Sequence, residues 1–281
     1  MDRMQALIDD AYWSIDEARR RYFDGADRIN RREVAGTIIL FSGGNDSTVL
    51  AHLMRGEATH FGHANTGIGV EATRTFVREL SHIWRRPLLE RYPPPGSTYR
   101  DLVLSEGFPG PGKHWKMFQR LKLRAVEQMQ AELITTTPYR QRVMLLAGRR
   151  LVESARREQR DIPQVERNKS AVWVSPLRNW TALDMNEYRR RHPDCPRNPV
   201  ADTLHMSGEC LCGAFAKPDE LDWIRLWHPE VERQIRALEA EADAAGIPAP
   251  RNRWGWGAYR ISPKRAPRTG VMCSSCALAH A

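Results

Sequence analysis

Two periodicities alternate along the first third of the chain. The run "VAGTIILF" (34–41) is short, apolar and β-branched, which predicts a buried strand, and "STVLAHLM" (47–54) has the spacing of a helix. Between them lies a polar, glycine-paired elbow. "ATHFGHANTG" (58–67) predicts a second strand, "VEATRTFVRELSHIW" (70–84) a second helix and "RPLLERY" (86–92) a third strand. This βαβαβ alternation implies an α/β fold, a parallel sheet with helices on both faces.

The flanks are less regular. Residues 2–32 carry apolar positions at Met4, Leu7, Ile8, Ala11, Trp13 and Ile15, predicting one or two amphipathic helices that pack, with 1–33 as an N-terminal helical segment. "PPPGSTYRDLVLSEGFPGPGKHW" (93–115) is a proline- and glycine-rich excursion around one short helix, long enough for a functional loop, and helical residues follow through Met129. "RVMLLAGRRLVESARRE" (142–158) predicts a strand delivering a polar segment, and residues 171–192 a last strand and a helix capped near Thr181. Beyond residue 190 the composition shifts to Cys, Pro, Gly and Trp, so 34–190 reads as the central domain and 191–281 as a small Cys-rich module.

Charge adds a direction. The 43 Lys and Arg against 34 Asp and Glu leave a net +9. Much of the excess is arginine, whose fork matches phosphate and carboxylate oxygens, so an anionic ligand or partner is expected. The early residues mix charged and apolar positions and no later run is long and apolar enough to span a bilayer, so a cytoplasmic protein without a membrane partner is expected. The five cysteines, Cys195, Cys210, Cys212, Cys273 and Cys276, lie in the last third. In a reducing compartment, paired cysteines point to metal ligation rather than disulfides.

The elbow "SGGNDS" (42–47) carries the first chemistry. A glycine pair between a strand and a helix lets the backbone approach a ligand, and the helix's unpaired amides attract an anion, with phosphate the natural occupant. The elbow lacks the lysine of the G-x-x-x-x-G-K loop and the three-glycine dinucleotide spacing.

Ser42, Gly43, Gly44, Asn45, Asp46 and Ser47 match the S-G-G-x-D-S signature of the PP-loop ATP pyrophosphatases. "NTGIGVEATRTFV" (65–77), "FPGPGKHWKMFQRLKL" (108–123), "GRRLVESARR" (148–157) and "VSPLRNWTALDMNEY" (174–188) resemble, in order, motifs of the phosphoadenylylsulfate reductase family. "NPVADTLHMSGECLCG" (198–213) resembles an element of the DNA phosphorothioation sulfurtransferases. The resemblance implies a Rossmann-like, adenine nucleotide alpha hydrolase-like sheet and a site for ATP and Mg²⁺. It implies nucleotide contacts from residues 42–47 and from Thr66, Gly67, Glu71, Gly148, Glu153 and Ser154, and catalytic roles for Asp46, Lys122, Arg150 and Arg156. The two arginines would neutralise the departing pyrophosphate, and Asp46 would reach the metal or organise the turn. Asn65 stands where an aspartate is usual, and Met117 where related thiolation proteins carry a cysteine, which excludes a persulfide at 117. His60 and His63 fall on opposite faces of one strand and read as structural.

Cys210-x-Cys212 and Cys273-x-x-Cys276 are two short-bite chelating pairs that together complete a tetrahedral sulfur set. Composition allows structural zinc; the resemblance favours a [4Fe–4S] cluster. Cys195 is unpaired, and His192 and Arg197 beside it suggest a lowered pKa, so it is a candidate reactive thiol or substitute ligand. Trp254 and Trp256 suit either base stacking or packing.

The expected function is therefore cleavage of ATP to AMP and pyrophosphate with adenylation of an acceptor, tRNA or DNA, for sulfur transfer from a donor protein. Reduction of a phosphoadenylyl- or adenylylsulfate is the second reading, weakened by a C-terminus ("GVMCSSCALAHA") that lacks the reductases' terminal E-C-G-x-H motif. A nucleotide-sensing or nucleic-acid-binding subunit without turnover is the third. Oligomeric state is not legible.

Overall fold

The structure, a computed structural model, describes residues 2–25, 31–137, 140–153 and 162–257. In chain order the elements are α1 (Arg3–Tyr22), β1 (Glu33–Leu40), α2 (Asn45–Met54), β2 (His60–Ala64), α3 (Glu71–Ile83), β3 (Leu88–Arg91), α4 (Tyr99–Glu106), α5 (His114–Phe118), α6 (Arg124–Leu133), β4 (Gln141–Leu146), β5 (Val165–Asn168), β6 (Ala171–Val174), α7 (Ala182–Arg191), α8 (Pro199–Leu204), α9 (Glu220–Trp227) and α10 (Pro229–Ala244). A single π turn, Gln119–Leu123, joins α5 to α6.

Among the described residues six strands form one sheet in the order β3-β2-β1-β4-β6-β5. β1 runs parallel to both β2, with Ile38 opposite His60, and β4, with Ile38 opposite Leu145. β4 is parallel to β6, and only β5 is antiparallel, against β6. This is the mostly parallel, Rossmann-like α/β architecture the pattern predicts. The strand order reverses between β1 and β4, and the crevice beyond the C-terminal ends of two such strands is the usual ligand position in an open α/β sheet.

The chain divides into two compact units that interleave in sequence: residues 1–63, 76–90 and 127–198 form the first, and 64–75, 91–126 and 199–281 the second. The expected partition was serial, with breaks after 33 and 190; here segments 64–75 and 91–126 group with the C-terminal part because their apolar residues share its core. That core contains Ile68, Val70, Tyr99, Phe108, Leu121, Ile224, Ile235 and Trp254.

The first unit's core is built on Ile39, Phe41, Val49, Leu50, Phe61, Leu146, Val174 and Trp180. One helix, α1, covers residues 3–22 and contributes Met4, Leu7, Ala11, Ile15 and Ala18, a stripe at three- and four-residue intervals packed on β5, β6 and α7. Burying Ile15 alone contributes about 2–3 kcal/mol. Asp2 caps its start and Arg19, Arg20 and Arg21 sit in its last turn, both favourable to the helix dipole. Thr181 caps α7 in a reciprocal box with Asp184, and Asp184 also takes a two-pronged hydrogen bond from Arg3 at 2.8 and 2.9 Å. That guanidinium holds the Asp184 carboxyl down at about 2. No helix among the described residues is long and apolar enough to cross a membrane.

Candidate functional site

In the first unit the apolar run of β1 ends at Leu40, and the backbone turns through Ser42 and Gly43 into α2. Gly43 has φ +72°, a left-handed conformation that a β-carbon disfavours, and Gly44 is the extended N-cap residue with no capping side chain. The leading amides of α2, at Asn45, Asp46 and Ser47, therefore face an uncapped helix end. Amides in this arrangement form an anion nest. The hydroxyls close its floor: Ser47 Oγ and Thr48 Oγ1 donate to the Gly44 carbonyl at 3.1 and 2.8 Å, and Ser42 Oγ lies 3.1 Å from Ser47 Oγ.

Residues after β4 complete the cradle. Arg150 Nε donates to Asp46 Oδ2 at 2.8 Å, with side chains only 11% and 21% exposed. Asp46 thus holds the Arg150 guanidinium beside the turn. A β-carbon on Gly148 would lie 3.2 Å from both the Asp46 carbonyl carbon and the Ser47 amide nitrogen, so glycine lets the β4 exit pass against the loop. Arg149, its neighbour, is structural: it donates to Ser175 and Glu166 and lies over the Trp173 ring.

Two positions to which the sequence reading gave no role hold the loop through its carbonyls. Asn198, 1% exposed, donates Nδ2–H to the Gly43 carbonyl at 2.8 Å, and Arg189 of α7 donates to the Asn45 carbonyl at 3.2 Å. Their only sequence signals are an Asn-Pro helix start and one of three consecutive arginines. The far end of α2 is tied down as well. Buried His52 meets Tyr188 at 2.8 Å and Asp194 at 3.0 Å, and burial lowers its pKa. His63 is buried against the Phe41 carbonyl at 2.8 Å and His60 bonds its neighbour Thr59, both structural.

The structure thus brings Ser42 to Ser47 together with Gly148 and Arg150. Of Glu153, only the backbone is described, in a short 3₁₀ turn (Leu151–Glu153). The expected roles of Ser154 and Arg156 lie outside the described residues.

In the second unit, Asn65 closes its own turn, accepting from the Gly67 amide at 3.1 Å. Thr66 is fully buried and committed internally: its amide donates to Glu209 Oε1 at 2.8 Å and its hydroxyl to the Glu209 carbonyl at 2.6 Å. Glu209, also buried, was not anticipated, and a β-carbon on Gly69 would fall 2.4 Å from its carbonyl oxygen. Gly67 is open, at φ +75°, and exposed Glu71 pairs with Arg74 at 3.2 Å.

Cys210 and Cys212 sit on a knuckle between Gly208 (φ +69°) and Gly213 (φ +78°). Tyr99 Oη donates to the Cys212 carbonyl at 3.0 Å, and Trp254 Nε1 to the Leu211 carbonyl at 2.7 Å. The thiols share a hydrogen bond that lowers the Cys210 pKa and raises that of Cys212, and the Lys122 ammonium favours both thiolates. Cys210, Cys212 and Lys122 line one cavity of about 180 Å³, room for on the order of ten water molecules. This donor set suits a thiophilic metal but offers two sulfurs. No group of three or more metal-binding side chains occurs among the described residues, and Cys273 and Cys276 lie outside them.

One expectation is corrected by burial. Cys195 is 5% exposed in the first unit's core, and desolvation pushes its thiol pKa up, the opposite of the lowering expected from His192 and Arg197. Of the two readings open for Trp254 and Trp256, packing is the one observed: Trp254 is in the core of the second unit, and half-buried Trp256 donates to the Phe108 carbonyl at 2.6 Å.

The phosphoadenosine phosphosulfate reductase domain matches residues 36–204. A search of curated protein sequences finds no match. Among solved structures, the chain is similar to the phosphoadenylyl-sulfate reductase of Candida auris in a phosphate complex, at 14% identity and TM-score 0.46, over 70% of this chain and 83% of that one. It is similar to the FMN adenylyltransferase of Candida glabrata in complex with ATP, at 12% identity and TM-score 0.44, over 66% of this chain and 54% of that one. The U34-tRNA thiolase NcsA of Methanococcus maripaludis with its [4Fe–4S] cluster gives 12% identity and TM-score 0.42, over 85% and 80%. The likeness to DNA phosphorothioation enzymes rests on the sequence motif alone.

Proposed function

The chain belongs to the phosphoadenosine phosphosulfate reductase domain family, and on that premise we propose that it is an ATP-cleaving enzyme whose first unit holds the β and γ phosphates on the 42–47 turn. One observation carries the reading: the left-handed Gly43 and the uncapped start of α2 leave a nest of main-chain donors, and the Asp46–Arg150 pair sets a cation beside it.

In this reaction an oxygen of the acceptor, a tRNA or DNA, attacks the α-phosphorus; the bond from that phosphorus to the β-bridging oxygen breaks, and pyrophosphate leaves. The turn's amides and Arg150, with Arg156, take up the negative charge that grows on the leaving group, so catalysis is mainly positioning and charge neutralisation. Hydrosulfide delivered by a sulfur-donor protein then displaces AMP from the adenylated acceptor. Mg²⁺ would ride on the phosphates, with Asp46 as the carboxylate the turn offers, and would add Lewis-acid charge neutralisation. Cys210 and Cys212 of the described cavity, with Cys273 and Cys276, would hold a [4Fe–4S] cluster, zinc being the alternative; bound there, a cluster would supply a site for sulfur ligation. Lys122 stands ready to meet an anionic group entering the same cavity.

Incubation with ATP labelled at the α and γ positions tests this. Labelled AMP and pyrophosphate are expected once acceptor is present; ADP and inorganic phosphate instead would defeat the reading. Reduction of a phosphoadenylyl- or adenylylsulfate is the second reading, favoured by the family match, and release of sulfite with a thiol donor would decide for it.

A further inference from the structure

With Trp254 and Trp256 committed to packing, Tyr92, Trp115, Phe215 and Trp227 are among the aromatic rings exposed on the second unit, and two of them, Trp115 and Phe215, stand at the rim of one cavity. Trp115 is 61% exposed and Phe215 55%. Each leans on a second ring: Trp115 stacks on Phe118 with centroids 5.5 Å apart and planes 25° apart, and Phe215 lies 4.7 Å from His114. Phe118, His114 and Phe215 line the cavity that holds Lys122 and Cys210.

The charge around these rings has one sign along the helix. From Lys113 to Val126, "KHWKMFQRLKLRAV", there are five cations and no carboxylate. Lys113 and Lys116 share the single carboxylate of Glu106, which leaves their sum positive. Glu220 is the one carboxylate in the cavity lining; its burial raises its pKa and so weakens its opposition to an anion.

We propose that this rim is a binding site for unpaired bases of a single-stranded nucleic acid, stacked on Trp115 and Phe215, with the phosphodiester backbone following the cations of residues 113–124. Ring faces flanked by cations are what a strand with splayed bases recognises, whereas a duplex keeps its ring faces stacked inside and offers phosphates alone. The proposal deepens the reading of a nucleic-acid acceptor by assigning it a surface and a single-stranded form.

The test uses the full-length protein without ATP, so it is independent of turnover. Fluorescence anisotropy follows labelled 12-nucleotide single-stranded RNA, single-stranded DNA and the matching duplex. Single strands should bind more tightly than duplex, and whichever of RNA or DNA binds better identifies the sugar of the acceptor. Trp115→Ala and Phe215→Ala should each weaken single-strand binding about ten-fold or more, Trp115→Phe should restore most of it, and Arg120→Gln should reduce the salt slope by about one. Melting temperatures should fall only slightly, since both rings are more than half exposed and each loses one ring contact. Equal affinity of the alanine variants, a duplex bound as tightly as a single strand, or no binding at low salt would overturn the proposal. Single-strand binding through these rings with no AMP or pyrophosphate formed would leave the site standing and defeat the adenylation reading alone.

Discussion

Asn198→Ala separates loop geometry from fold stability. The side chain is 1% exposed and its Nδ2–H reaches the Gly43 carbonyl at 2.8 Å, so truncation strands a buried acceptor. An unsatisfied buried acceptor costs about 1–3 kcal/mol, which lowers the melting temperature by about 2–4 °C per kcal/mol in a chain of this size. The same carbonyl belongs to the peptide that joins Gly43 to Gly44. Gly43, at φ +72°, is free to rotate once the brace is gone, and rotation loosens the turn that sets the amides of Asn45, Asp46 and Ser47. Pyrophosphate affinity should therefore fall about ten-fold, equivalent to about 1.4 kcal/mol, while adenosine affinity holds. Asn198→Asp should be worse for pyrophosphate than alanine, because it adds a negative charge behind the loop. Isothermal titration with pyrophosphate and with adenosine, paired with thermal melts, reads both effects. Unchanged pyrophosphate affinity in a folded Asn198→Ala protein would refute the bracing role.

Further expectations follow from other parts of the molecule. Arg150→Ala leaves the Asp46 carboxylate unopposed beside the phosphates and should lower kcat/KM for pyrophosphate release by about a hundred-fold, with Arg150→Lys recovering only part because a point charge replaces a planar fork; equal activity of the alanine variant would contradict the assignment. The Asp184 carboxyl is held near 2 against an ordinary 3.8, so its bond to Arg3 stabilises the fold above pH 3.8 and is lost as pH falls towards 2. Because Arg3 is 67% exposed, the effect is on the order of 1 kcal/mol after screening, and the melting difference between wild type and Arg3→Ala should vanish over that window. Anaerobically purified protein should show a broad visible band near ~400 nm with bound iron and sulfide, lost in Cys210→Ser and Cys212→Ser; colourless protein carrying zinc would remove the cluster from the account.

What was legible in the sequence was local. The strand, glycine elbow and helix of residues 34–54 could be read because composition and spacing there agree at every position. The antiparallel edge strand Val165–Asn168 could not, since "VERN" has one buried residue and no alternation to betray it. The Cys-rich reading of the C-terminal part hid α9 and α10, whose apolar positions are helical but were overshadowed by the cysteines around them. Asn198 opens the 198–213 motif, but its bracing role was not legible because its partner lies 155 residues away, a distance that motif spacing does not encode. Cys195 misled for the converse reason. Arg197 and His192 are its neighbours in sequence, but burial sets its pKa, and burial is a property of the packed unit.

The claim on which the account rests is that the 42–47 turn grips the phosphates of an adenine nucleotide through its main chain. Equilibrium binding of labelled ATP, competed by pyrophosphate and repeated with Gly43→Val, tests it most directly. The account predicts saturable binding that pyrophosphate displaces and that the valine, strained at φ +72°, abolishes in a protein that still melts cooperatively. ATP binding that ignores both pyrophosphate and the substitution would contradict it.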